Sequence, residues 1–198
     1  MSGTRTHARE ERKTADEIRI LAREASQSDI AAFADLYRLY HPALLQYVNT
    51  RVRQRQEAED LTNAVFEKAF AAIGRYQPSP AQFSTWLYTI ARNALIDHYR
   101  KRRLPLEPDA DQEMLQATDP QDGPEEQIVA DELRKLLYNA ILELTDDQRQ
   151  VVGCRFFFNL SVHEVAQLLG KTEGAVKALQ FRALERLHRK LAAEIPSC

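Results

Sequence analysis

Residues 161–180, SVHEVAQLLGKTEGAVKALQ, carry side chains whose types and spacing suit recognition of a nucleic acid rather than bond making. Ser161 and Glu164 stand three apart, the spacing of a capping box at a helix start. With Val162 as position one, Ala166 is fifth, Gly170 ninth and Val176 fifteenth, the spacing of a helix-turn-helix. Ala166 is small where two helices cross, Gly170 can take a positive backbone angle at the turn, and Thr172 can cap the second helix. Val165, Leu169, Val176 and Leu179 fill the space between the helices. An ordinary helical hairpin in an all-α core is the alternative. At about 100° per residue, Val176, Leu179, Ala183 and Leu187 face inward, while Lys177, Ala178, Phe181, Arg182 and Glu185 spread over the other side. A phenylalanine between cations suits a major groove, where it meets a thymine methyl and the cations reach guanine or phosphate. Lys177, Phe181 and Arg182 are the candidate readers. Ala178 lies on their face, and Thr172 with the amides of the helix start suits a phosphate. One such module binds weakly, so a second contact is expected.

The stretch FSTWLYTIARNALIDHYRKRR, 83–103, offers that contact. It presents Trp86, Arg92, Asn93, Asp97 and Tyr99, then Arg100, Lys101, Arg102 and Arg103, and Tyr76 lies in the preceding loop. Cations can follow a phosphate backbone while aromatic rings hold unstacked bases. Taken alone, the basic run equally complements a helix dipole.

These segments need helices to position them, and helical periodicity dominates the chain. Phe33, Leu36, Tyr37, Tyr40, Leu44, Leu45 and Val48 recur at three and four, as do Leu61, Val65, Phe66, Ala69, Phe70 and Ile73. RYQPSPAQ, 75–82, breaks the pattern as a loop. The expected fold is all-α: two small helical domains joined by an acidic, proline-rich linker. Residues 1–29 read as a partly helical extension, 30–104 as the first domain, 105–126 as the linker and 127–195 as the second domain, with helices over 127–145 and 146–158.

The net charge of −2 conceals a segregation. Residues 30–104 hold 11 basic and 6 acidic groups, 105–133 hold 10 acidic groups and no basic one, and 134–198 hold 10 basic and 7 acidic groups. Fields are local and screened beyond about 10 Å, so an acidic isoelectric point does not oppose a polyanionic partner. The linker, with four prolines and eight carboxylates, cannot bury enough apolar area to offset its ordering entropy; a solvated spacer and a binding role both fit it.

No apolar run is long enough to cross a bilayer and the N-terminal residues lack a signal-like apolar region, so a cytoplasmic location is expected. Cys154 and Cys198 sit in no CxxC, which disfavours a disulfide or zinc site. His163 with Cys154, and His98 with Asp97, lack a supporting nucleophile or ligand pattern, and no glycine-rich phosphate loop is present. No metal, cofactor or enzymatic activity is expected.

The ordered combination of EAEDLTNAVFEKAF (57–70), FSTWLYTIARNALIDHYRKRR (83–103), an acidic linker and the helix-turn-helix closely resembles the extracytoplasmic-function sigma factors, the compact branch of the sigma-70 superfamily. The resemblance covers about 30–104 and 130–191. It implies a region 2-like bundle, a region 4-like helix-turn-helix domain, and a promoter-specificity subunit of bacterial RNA polymerase. Asp60, Leu61, Asn63, Val65 and Phe66 match the family's DLxQEVF pattern, which docks on the clamp helices of the polymerase; Asn63 replaces a usual Gln and Ala64 a usual Glu. The 83–103 helix corresponds to the element that recognises and opens the minus-ten region, and loop 75–82 to one that captures a flipped non-template base. The second domain corresponds to the minus-thirty-five reader, with GAVKAL (174–179) where GTVKSR is common. Lys177 is retained, while Ala178 and Leu179 replace Ser and Arg. The linker would thread the polymerase near the RNA path.

The implied partners are core polymerase, promoter DNA as duplex and as melted non-template strand, and an anti-sigma protein, with no insertion into a membrane. Two weak sites joined by a spacer gain avidity when held at the correct separation. In the free chain the first domain's DNA surface is expected to be inadequate or masked. The competing reading is a helix-turn-helix regulator that binds DNA without polymerase.

Overall fold

The computed structural model describes residues 13–52, 54–77, 83–102 and 124–194, excepting the side chains of 101, 102, 124–131 and 134. Among them the regular structure is entirely helical. Helix α1 (Ala15–Ser26) starts at a capping box in which the Thr14 hydroxyl accepts from the Glu17 amide and the Glu17 carboxylate accepts from the Thr14 amide. Ser28, at φ 74°, reverses the chain into α2 (Ile30–Asn49), and Asp29 accepts from the Ala31 and Ala32 amides at 2.9 and 3.1 Å. The polar extension expected over 1–29 thus contributes a packed helix: Ala22 and Ala25 are buried against α2.

Helix α3 (Arg55–Ala72) ends in a 3₁₀ turn, Ile73–Arg75, and α4 runs Phe83–Arg102. Leu36, Leu44, Val48, Val65, Leu87 and Ala91 are wholly buried between α2, α3 and α4. Each large one stabilises the bundle by about 1.5–3 kcal/mol on a transfer basis. Glu57 of α3 and His98 of α4 meet at 2.7 Å on the rim of this core.

Helix α5 (Pro124–Leu142) begins inside the stretch read as linker. Proline suits the first turn of a helix, where its missing N–H has no intrahelical acceptor to lose. Helix α6 (Asp146–Val152), capped by Thr145 and Gln148, runs on as one π-helical turn, Gly153–Phe157. Helices α7 (Val162–Leu169) and α8 (Glu173–Glu194) complete the rear half.

The two halves do not stand apart. A continuous buried core runs from α1–α4 into the π-helical turn and α7. Phe158 sits edge-on to Tyr47 of α2 and to Tyr88 of α4, each at 5.4 Å. The Cys154 thiol is buried beside them, and that burial raises its pKa to about 11.

Candidate nucleic-acid interface

The turn of the helix-turn-helix is built as its sequence indicates. Ser161 Oγ accepts from the Glu164 amide at 3.1 Å, and the Glu164 carboxylate accepts from the Ser161 amide at 2.8 Å. Gly170 stands at φ 62°, a conformation that strains a residue with a Cβ, and closes α7 through its amide. Thr172 Oγ1 accepts from the Ala175 amide at 3.2 Å at the start of α8. Val165 and Val176 are wholly buried and Ala166 nearly so, while Leu169 and Leu179 pack against them. Val176, Ala183 and Leu187, seven and four positions apart, form the inward stripe of α8 at the helical period.

The opposite side of α8 is open. Lys177, Ala178, Phe181 and Arg182 are exposed, and Phe181 keeps 69% of its surface in solvent. The Arg182 Nε is turned back onto the Ala178 carbonyl at 3.2 Å. Phe156, on the π-helical turn, is likewise exposed at 53%, and its neighbour Arg155 donates to Gln180 Oε1 at 3.1 Å and to the Leu160 carbonyl. Arg155 therefore ties the entry to α7 to α8. It lies between Cys154 and Phe156, where no periodic signal marks it, so sequence reasoning passed over it.

Two further ties set the start of α8, and one of them changes its electrostatics. Lys171 bonds Asp147 of α6 at 2.9 Å. His163 Nδ1 lies 2.9 Å from Glu173 Oε1, and His163 Nε2 lies 2.9 Å from Gln167 Nε2. A neutral imidazole with the proton on Nδ1 satisfies both contacts, donating to the carboxylate and accepting from the amide. Glu173 thus holds a negative charge in the first turn of α8, where Thr172 and the amides were expected to take a phosphate. The carboxylate competes for that same positive end of the helix dipole.

On α4, Thr89, Arg92, Asn93, Ile96 and Arg100 are exposed at positions that trace one stripe along the helix. Asp97 is half-buried and holds Arg100 by a 3.0 Å ion pair. Trp86 is partly exposed at the stripe's beginning, with ring centroids 5.2 Å from Tyr76 and 5.3 Å from Phe83. Thr89 and Ile96 were not singled out by sequence, because neither type marks a contact by itself; only the helix phase places them on this face.

The chain was compared with known proteins. Residues 36–104 match the model of Sigma-70 region 2, and residues 140–189 match Sigma-70, region 4. The chain is 30% identical over 176 residues to the ECF RNA polymerase sigma factor SigW of Bacillus subtilis, covering 85% of this chain and 94% of SigW. It belongs to the extracytoplasmic-function sigma factors. Relative to the ECF RNA polymerase sigma factor BldN of Streptomyces coelicolor it is 37% identical over 171 residues, covering 86% of this chain but 64% of BldN. In fold it is similar to CnrH, solved in complex with the cytosolic domain of CnrY, with a TM-score of 0.65 at 24% identity over 91% of this chain and 100% of that one.

With the family known, the positions carried over by resemblance can be placed in this sigma factor. On α3, Asp60 and Asn63 are exposed on the side that also exposes Gln56, Glu67 and Phe70, while Leu61 is partly buried and packs against the core. Val65 and Phe66 are 0% and 4% exposed. Their side chains hold α3 in the bundle. Tyr76 is also buried, packed on Phe83 and Trp86, and offers no free ring to a flipped base. Tyr99 points inward: its hydroxyl is buried with no hydrogen-bond partner among the described residues, and burial raises its pKa to about 12 against the nearby charges of Arg51 and Arg149. Each correction has one cause. These aromatics and aliphatics lie on the bundle side of their helices, where apolar area gains more from the core than from solvent. The side chains of Lys101 and Arg102, and Arg103 entirely, lie outside the described residues, as do loop residues 78–82 and the linker residues 103–123. Cys154 is enclosed in the core, His163 is engaged with Glu173 and Gln167, and His98 meets Glu57.

Proposed function

We propose that this chain is a promoter-specificity subunit of bacterial RNA polymerase, directing the core enzyme to minus-ten and minus-thirty-five elements and assisting DNA opening. The observation that carries the reading is the presence, on one chain of this family, of two separate polar faces suited to DNA. One is the α4 stripe of Arg92, Asn93, Asp97 and Arg100, with Trp86 at its start. The other is the α8 face of Lys177, Ala178, Phe181 and Arg182. No covalent step is needed of such a subunit. Opening needs binding energy for unstacked bases, about a few kcal/mol per flipped base. The exposed Asp60–Asn63 side of α3 is the proposed contact with core polymerase.

Run-off transcription with bacterial core polymerase and a pool of promoter templates tests the reading. Transcripts that begin at shared upstream elements only when the chain is added are expected; initiation independent of the chain would refute it. Specific duplex binding without core polymerase would instead favour a free-standing regulator. The proposed location is the cytoplasm, where polymerase works, and no helix among the described residues is long and apolar enough to cross a membrane. An anti-sigma protein is a proposed partner, because an RpoE of Bartonella quintana was solved with the anti-sigma factor NepR. Affinity purification from a bacterial lysate should recover such a protein beside polymerase.

The Glu173 carboxylate supplies a graded test of the α8 face. Glu173→Gln removes a negative charge from the helix start and should tighten minus-thirty-five duplex binding by about two- to fivefold at low salt. The gain should shrink as salt rises, read by fluorescence anisotropy. Weakened binding would mean that the His163 tie, and not the charge, is what matters there.

A further inference from the structure

The start of α8 holds a carboxylate where a helix that meets DNA gains from cations. Glu173 stands in the first turn, and Lys177 stands four positions on. Side chains at that spacing are neighbours on one helix face, and a Glu placed four residues before a Lys has the orientation that pairs best. Both side chains are exposed, yet among the described residues the ion pair of Glu173 is with His163 and not with Lys177.

The carboxylate is drawn back across the turn. Gly170, at φ 62°, reverses the chain so that His163 of α7 lies beside a residue ten positions later. His163 Nδ1 lies 2.9 Å from Glu173 Oε1, and His163 Nε2 lies 2.9 Å from Gln167 Nε2, one turn along α7. Partners on both nitrogens fix the orientation of the ring, which makes His163 a set anchor for Glu173. The Lys171–Asp147 pair at 2.9 Å holds the same turn against α6. Exposed pairs of this kind add little to stability, so the consequence of the His163–Glu173 pair lies in where it leaves the charges.

Released from His163, the carboxylate has two alternatives, and both oppose duplex binding. It can pair with Lys177, whose ammonium must then be freed before it reaches a phosphate or a guanine edge. It can also swing over the amides that open α8, toward the approaching strand. Held on α7 it still weakens binding by its charge, as Glu173→Gln reads, but less than a free carboxylate does.

We propose that His163 is a positioning residue for minus-thirty-five recognition: by holding Glu173 against α7, with Gln167 as the brace, it keeps Lys177 available to the duplex. The inference rests on the proposed function and deepens it, since it names a side chain of α7 that governs a reader on α8.

A double-mutant cycle tests it. Holoenzyme assembled from bacterial core polymerase and the full chain is titrated, at low salt and by fluorescence anisotropy, against a labelled duplex bearing a minus-thirty-five element. His163→Ala should weaken binding by about threefold. In a Glu173→Gln background, where no carboxylate needs restraint, the same substitution should change affinity by less than about 1.5-fold. His163→Gln, whose amide N–H can donate to the carboxylate, should recover most of the parent's affinity. A histidine that merely steadies α7 would cost the same factor in both backgrounds. Equal losses, or a His163→Ala chain as tight as the parent, would overturn the proposal. Holoenzyme that holds this duplex no better than core polymerase alone would instead refute the proposed function. The free chain on a nonspecific duplex at low salt, where Lys177 still meets phosphates, then decides by the same cycle: a loss confined to the Glu173 background supports the positioning role, and equal losses overturn it.

Discussion

Phe181→Glu should abolish most promoter-directed transcription while leaving the fold intact. Phe181 is 69% exposed on α8, flanked by Lys177 and Arg182, and it buries little in the chain itself. Its replacement should change stability by no more than about 0.5 kcal/mol, as for other open surface sites. In the complex the loss has two parts. An apolar contact in the major groove disappears, and a carboxylate enters a site facing phosphates and base edges. Together these are worth about 2 kcal/mol, a roughly thirtyfold loss in minus-thirty-five binding. Run-off transcription at limiting holoenzyme should fall by a comparable factor, while thermal melting and binding to core polymerase stay unchanged. Activity equal to the parent on a promoter that depends on its minus-thirty-five element would remove Phe181, and with it this face of α8, from the reading surface.

The second large effect concerns the frame behind that face. Val176 is wholly buried between α7 and α8, five residues from Phe181 but turned to the core. Val176→Asp would place a carboxylate there with no cation beside it in the packed Val165–Leu179 layer. An uncompensated buried charge of this kind costs about 3–5 kcal/mol, a large part of the stability of a domain this small. The expected result is loss of cooperative unfolding for the rear half in a urea titration and loss of DNA binding at any salt. Ala178→Asp, two residues on and exposed, introduces the same charge but should leave the urea midpoint nearly unchanged. If Val176→Asp unfolded at the parent's midpoint, the inward phase assigned to α8 would be wrong.

These two substitutions mark how much was legible. The phase of α8 followed from Val176, Ala183 and Leu187 recurring at helical spacing. The turn followed from Gly170, and the helix starts followed from Ser161, Glu164 and Thr172. All of these are local: a capping box closes within three residues, and a stripe is fixed by 3.6 residues per turn. Where local signals ran out, placements shifted. Val65, Phe66, Tyr76 and Tyr99 belong to stretches that resemble polymerase- or DNA-contacting segments, yet their side chains turn to the bundle. Ile96, Glu67 and Phe70 are exposed but carry no composition signal. A residue's type does not say which way its helix is rotated when both faces hold apolar groups, as on α3 and α4.

The sequence by itself determined an all-helical chain, its main breaks, the helix-turn-helix and the basic character of both halves, because propensity, capping and apolar period act over a few residues. Only the tertiary structure decided that the halves share a core. Tyr47 and Phe158 are more than a hundred positions apart, and nothing in either neighbourhood specifies the other. Gly153 read as an interior residue of a helix until Tyr47 was found against it. The Glu173 charge at the start of α8, held by His163 from the preceding helix, was likewise decided by packing. Contacts between distant segments depend on the summed fit of two surfaces, and that fit is written in shape, which the order of residues along one helix does not contain.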